Sequence, residues 1–176
     1  MRPLIPLFLA ISLPLLSQSR KIEESPSFVN EGVIDAPIQK VWEVFTTNEG
    51  FKALGLAKAD IDFRIGGLMR SHYSEAGVIG DENTIQNRIL AYEPMRMVAF
   101  RIDTPPKQFP FKEAWKHTWS VVTLQDLSSG KTHIRIASMG YGSDEESLAM
   151  RKFFEQGNGA VVKTLQSRLG PKPTAQ

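Results

Sequence analysis

Across residues 144–169 the chain carries Met150, Phe153, Phe154, Gly157, Val161, Leu165 and Leu169 at steps of three and four. That spacing predicts one long amphipathic helix of about seven turns with a single apolar stripe. Ser143 stands at an N-cap position with Glu146 three residues on, the arrangement of a capping box. Asp144, Glu145 and Glu146 put negative charge at the positive end of the helix dipole, and Lys163 and Arg168 put positive charge toward the other end. Gly170 and Pro171 supply the stop.

Upstream the apolar period changes to two. Residues 28–34, 59–63, 68–73, 83–92, 95–102, 115–127 and 131–141 read as strands, divided by turn residues such as Gly66-Gly67, Glu93-Pro94 and Ser128-Ser129-Gly130. Pro37 suits the first position of a helix, and Ile38, Val41, Trp42 and Phe45 lie at i, i+3, i+4 and i+7. Asn48-Glu49-Gly50 breaks that helix, and residues 51–54 add one more turn. The predicted fold class is α+β: a curved antiparallel sheet of about seven strands wrapped around the C-terminal helix, with one or two short helices after the first strand. A strand-rich chain with one long amphipathic helix buries both apolar faces in this way. If the sheet does not close fully on the helix, a cavity is left between them. Gly157 and Gly159 sharpen the point, because glycine within a helix costs about 1 kcal/mol relative to alanine. Two readings stand for them: close packing of helix on strand, or a functional role as room for a ligand beside the helix or a kink that gates it.

Composition narrows the function classes. The 176 residues, 41% hydrophobic and 23% charged, suit a single domain, placed at 28–170. The formal net charge is only +2 and the Lys and Arg residues form no cluster, so no nucleic-acid partner is expected. The absence of cysteine excludes disulfides, thiol nucleophiles and cysteine-ligated zinc. Arg2, the apolar run 4–16 and Ser17-Gln18-Ser19 read as a secretory signal over 1–19, cleaved to leave an exported (periplasmic or secreted) protein. The run is interrupted by Pro6 and Pro14 and is shorter than the roughly 20 residues of a membrane span. An uncleaved anchor is the other reading; after cleavage no membrane span is expected. Residues 20–27 form a flexible mature N-terminus and 171–176 a tail, and nothing in the sequence fixes the oligomeric state.

Several stretches resemble a known superfamily. Val33-Ile34-Asp35-Ala36-Pro37-Ile38-Gln39-Lys40-Val41-Trp42 resembles the opening of the helix-grip, START-like or SRPBCC proteins. The similarity is to the branch, polyketide cyclase-like, named for the activator of the 90-kDa heat-shock-protein ATPase. Asp62-Phe63-Arg64-Ile65-Gly66-Gly67-Leu68-Met69-Arg70 is similar to its strand-turn-strand signature, and Glu93-Pro94-Met95-Arg96-Met97-Val98 to its next hairpin. Gly157 followed by Val161, Leu165 and Leu169 resembles its last helix. The resemblance covers residues 28–169 and implies the helix-grip fold. The chain departs from the pattern at Asn158, where an aromatic is common, and at Ala53-Leu54-Gly55, where a Trp is common. Both departures alter the shape of a cavity, so no relative's ligand transfers. The resemblance also implies two alternatives to ligand binding: a cyclase- or hydrolase-like enzyme using polar groups in the cavity, and a co-chaperone-like interaction module, which export would separate from a cytosolic partner.

The chemistry-bearing residues are sparse. His72, His117 and His133 stand in no metal-ligand pattern, no carboxylate pair has a demanding spacing, and neither a G-x-S-x-G nor a phosphate-binding loop occurs. No catalytic residue, metal or cofactor is predicted. Trp115, His117, Trp119 and Val121 are expected on one strand face; facing inward, His117 would be the one group there poised near neutral pH. The reading that results is a domain binding a small, largely apolar molecule between sheet and C-terminal helix. Phe45, Met69, Tyr73, Phe100, Trp119, Ile136 and Phe154 are the expected walls, Gly157 gives room beside them, and Tyr73 and His117 are the expected polar contacts. Phe109 and Phe111 bracket Pro110 in the connection 103–114 and are expected to close the cavity mouth.

Overall fold

A computed structural model describes residues 28–170; the expected signal, the mature N-terminus and the tail lie outside those residues. The period-two segments form β1 (Phe28–Ile34), β2 (Lys58–Ile61), β3 (Leu68–His72), β4 (Ile85–Glu93), β5 (Met97–Thr104), β6 (Trp119–Asp126) and β7 (Thr132–Met139). They build one antiparallel sheet in the order β1-β7-β6-β5-β4-β3-β2. Between β1 and β2 the chain crosses from one edge of the sheet to the other through α1 (Ile38–Thr46) and α2 (Asn48–Lys52), and α3 (Glu145–Leu169) follows β7. This is the α+β helix-grip arrangement expected from the change of period.

Register decides what faces inward. Phe28, Ser138, Ser120, Phe100 and Ile89 stand side by side across five strands, and Asn30, Ile136, Val122 and Val98 form the next row. Under that face Val41, Trp42, Val44 and Phe45 of α1 pack with Ile89, Val98, Val122, Ile134, Ile136 and Leu165 into the main core. Trp42 and Phe63 meet edge to face at 5.7 Å. These side chains fill the middle of the sheet's concave surface.

Some local details differ from the sequence reading. Asn48-Glu49-Gly50 begins α2 instead of breaking a helix, because the Thr47 hydroxyl accepts the Gly50 amide at 3.0 Å and caps a new turn. The cap of α3 is Asp144, not Ser143: one carboxylate oxygen accepts the Ser147 amide at 2.9 Å and the other accepts its hydroxyl at 2.6 Å. Glu146 directs its carboxylate to the backbone amides of Lys112 and Glu113, which ties the helix start to the preceding loop. The expected strand from residue 115 begins only at Trp119. Residues Ala114–His117 form a short 3-10 helix, closed by the Thr118 amide donating to the Trp115 carbonyl at 3.2 Å.

The long helix lies chiefly on β1. Gly32 makes this possible, since a Cβ there would stand 2.7 Å from Cγ1 of Val162. Gln166 donates to the Val33 carbonyl at 3.2 Å, and Arg168 donates to the Ala53 carbonyl at 2.7 Å. The C-terminal half of α3 is therefore fixed to β1 and α2. Its N-terminal half faces the other end of the sheet, where the connection between β5 and β6 completes the cover.

Candidate functional site

At that end the sheet opens. The β5–β6 ladder stops at Phe100 opposite Ser120, while Ile102 stays paired with β4 and Trp119 with β7. The two strands part, and the concave side of the gap is covered by a second apolar cluster. Phe28, Ala114, Tyr141 and Met150 are its buried members, with Phe109, Phe111, Trp115 and Phe154 packed against them. Phe109 and Phe111 from the connection meet Phe153 and Phe154 of α3 in a continuous set of ring contacts. Centroids are 5.3 Å apart for Phe109–Phe111, 6.1 Å for Phe109–Phe154 and 5.6 Å for Phe111–Phe153.

Below the rings lies a small polar group. The hydroxyls of Ser138 and Ser120 are 2.8 Å apart, and the Asn158 amide donates to Ser138 Oγ at 3.1 Å. Ser138 is buried, as is Tyr141 beside it. Burial pushes the Tyr141 phenol up to about 12, against the opposing influence of Ser138 and the Arg151 charge, so it stays protonated at neutral pH. A hydrogen-bonded cluster at a helix–sheet seam satisfies groups that would be costly to bury alone. Next to it Asn87, Phe100, Ile102, Ser120, Tyr141 and Phe154 enclose about 30 Å³, together with Arg101, Thr118 and Trp119 at the sheet gap. That volume admits about one water molecule. The space at this seam is far smaller than the ligand-sized cavity expected between sheet and helix: among the described residues α1 packs the middle of the sheet and the aromatic cover packs its end.

A second pocket, of about 360 Å³, lies across the gap on the convex side and is lined by Leu90, Arg101, Lys116, His117, Thr118 and Trp119. Arg101, Thr118 and Trp119 belong to both. The inner cavity and the outer pocket thus meet at the split between β5 and β6.

The expected site residues divide into groups. Phe100, Trp119 and Phe154 line the inner cavity, and Phe109 and Phe111 pack over it. Phe45, Met69 and Ile136 are buried in the main core and touch neither pocket. Tyr73 is 73% exposed: β3 ends at His72 and the ring points away from the core, so it is no polar contact for the cavity. His117 lies on the 3-10 helix and lines the outer pocket, so Trp115, His117, Trp119 and Val121 do not share one strand face. Gly157 is exposed and a Cβ there would meet nothing within 4 Å; it faces neither cavity nor strand. Gly159 is the helix glycine near a strand, with its Cβ position 3.3 Å from the Asn30 amide nitrogen.

Of the other histidines, His72 is buried. Its Nδ1 accepts the Ser74 amide at 2.9 Å, which places the ring proton on Nε2, 3.4 Å from Asp81 Oδ1. His133 stands 3.6 Å from Glu31 on the convex face. Among the described residues no three His, Asp or Glu side chains gather closely enough to hold a metal ion, and no helix is long and apolar enough to cross a membrane. Sequence reasoning missed Ser120, Ser138, Asn158, Tyr141 and Arg101. A signal existed for the serines: each occupies an inward position in an otherwise apolar phase, Ser120-Val122-Leu124 and Ile134-Ile136-Ser138.

Residues 35–170 match the family model described as Activator of Hsp90 ATPase homolog 1-like protein. No curated protein sequence matches the chain. Among solved structures the chain is similar to protein MLL2253 from Mesorhizobium loti, with a TM-score of 0.62 and 18% identity over 80% of this chain and 94% of that one. Protein NE0264 from Nitrosomonas europaea gives a TM-score of 0.58 at 18% identity, over 80% and 91% of the two chains. The Aha1 dimer from Colwellia psychrerythraea gives 0.56 at 14% identity, over 82% and 96%. At such identities the likeness is one of fold.

Proposed function

The chain belongs to the Activator of Hsp90 ATPase homolog 1-like family, and from that premise we propose that it is an exported domain that binds a small, largely apolar molecule in the seam between the sheet and the N-terminal half of α3. The observation that carries this reading is a satisfied polar group set beside a water-sized void under an aromatic cover. Ser120, Ser138 and Asn158 offer hydroxyl and amide groups able to orient the polar end of a ligand. Phe100, Ile102 and Phe154 offer apolar wall. A few convergent polar groups in an apolar lining is the usual composition of a small-molecule site.

Room for a ligand requires the cover to move. Ligand pockets measure about 300–1,000 Å³, far above the volume enclosed here. The connection between β5 and β6 is the movable part. It is held to α3 by ring contacts and by the Glu146 carboxylate, and Pro105, Pro106 and Pro110 keep it out of the sheet ladder. Displacing it breaks no β pairing. The proposal of export rests on Arg2, the apolar run 4–16 and Ser17-Gln18-Ser19.

Titration calorimetry with decan-1-ol, an uncharged apolar probe, tests the seam. Wild-type protein should bind it, and Ser138→Val, which puts a methyl group in place of the central hydroxyl and adds a second one, should bind about tenfold more weakly, the loss of one net hydrogen bond. Equal affinity in the two proteins would refute the seam as the seat of binding.

A further inference from the structure

The split between β5 and β6 has a chemistry of its own on the convex side. Leu90 and Trp119 are apolar and more than a third exposed there, and Arg101, Lys116 and His117 stand around them. The nearby acids are engaged by other cations: Asp103 holds Arg88 at 2.6 Å, and Glu113 compensates Lys116 at the rim itself, at 2.7 Å. The Arg101 side chain makes no hydrogen bond or ion pair among the described residues. In the ladder it stands directly opposite Arg88, whose own charge Asp103 compensates, so the Arg101 charge is the one left over at this rung. An apolar floor with an unneutralised guanidinium at its rim is complementary to a molecule with an apolar body and an anionic end.

The position of this rim matters as much as its charge. Arg101, Thr118 and Trp119 line the outer pocket and the inner cavity alike, and the strands are unpaired between them. We propose that the β5–β6 split is the ligand entrance, and that the ligand is an amphipathic carboxylate whose tail enters past Trp119 toward Phe100 and Phe154 while its carboxylate remains on Arg101. This deepens the seam reading and rests on it. His117, at the end of the 3-10 helix, lines the same rim and carries a ring N–H donor. Bidentate geometry makes Arg101 the anchor, since a guanidinium presents paired donors to a carboxylate.

Decanoate and decan-1-ol, which share a chain length and differ in the charged end, separate the possibilities when titrated into the full chain. Wild-type protein should bind decanoate more tightly than the alcohol. Arg101→Gln, an exposed substitution that leaves the core untouched, should weaken decanoate by roughly tenfold and leave the alcohol unchanged. Ser138→Val should weaken both. Unchanged decanoate affinity in Arg101→Gln, with both probes still bound and both still sensitive to Ser138→Val, would overturn the entrance and leave the seam reading standing. Loss of decanoate in Arg101→Gln together with indifference of both probes to Ser138→Val would place the ligand wholly outside and overturn the threaded geometry. Failure of wild-type protein to bind either probe would overturn both readings.

Discussion

Replacing Gly32 by alanine tests how closely α3 grips β1. The new Cβ would lie 2.7 Å from Val162 Cγ1 and 3.2 Å from the Gln166 amide nitrogen. Gln166 is exposed and can swing aside, but Val162 is buried and β-branched, with one favoured rotamer in a helix. Relief therefore requires the helix to move, and overpacking of this kind costs about 1–3 kcal/mol. Against it, alanine restricts the unfolded chain more than glycine does, a gain of about 0.4–1 kcal/mol where the backbone tolerates it. Gly32 lies in a regular strand without positive φ, so that gain applies. The steric term wins, leaving a net loss of about 1–2 kcal/mol. For a domain of this size each kcal/mol lowers the melting midpoint by roughly 2–4 °C. Val162→Ala alone should also destabilise, by about 1.6 kcal/mol for two buried methyl-sized groups. Combined with Gly32→Ala it should do less harm than the sum, because the added methyl enters space the valine vacated. Thermal melts of the two single variants and the double variant read the coupling directly. Strict additivity, or a Gly32→Ala protein with an unchanged midpoint, would refute the close contact.

The aromatic cover and the buried phenol give two further expectations. Phe109 and Phe111 are half-buried, so each ring holds roughly half of the 1.5–3 kcal/mol that full burial brings; changing both to serine should speed decan-1-ol release in stopped-flow mixing and lower the melting midpoint by roughly 3–12 °C, whereas a larger collapse in stability with normal release would make them core residues and nothing more. Tyr141 keeps its proton in the fold up to about 12, while the unfolded chain loses it near pH 10; stability should be complete below pH 10 and fall by on the order of 2 kcal/mol between there and pH 12, and urea melts of Tyr141→Phe should lack that part of the slope.

The fold was legible because it is written in periods. Alternation located all seven strands, and the three- and four-residue steps located α3. The site was harder, and α3 shows why. The stripe facing the sheet runs through Met150, Phe154, Asn158, Val162 and Leu165, in which Asn158 is polar. A search for apolar markers steps over it to Gly157, which lies one residue off the face and points to solvent. Ser120 and Ser138 carry a weaker version of the same difficulty. Their inward phase follows from alternation, but their meeting depends on the β6–β7 register, fixed by a turn with positive φ at Ser128 and Gly130. His117 misled for another reason: alternation continued through residues that a 3-10 turn withdrew from the sheet. Tyr73 is one residue beyond the end of β3, where nothing holds its ring against the core.

The strand order also sets a timetable. β1, the first strand made, has a single neighbour in the sheet, and that neighbour is β7. Between 98 and 110 residues separate the paired partners (Ile34 with Thr132, Phe28 with Ser138), so β1 waits as a bare edge while the rest of the hairpins assemble, and its inner face is covered only when α3 arrives to bring Val162 over Gly32. Contacts this distant in sequence make folding slow. The segment from β1 through β6 cannot close the core by itself: β1 has no partner until β7 is made, and α3 is the piece that completes the cover.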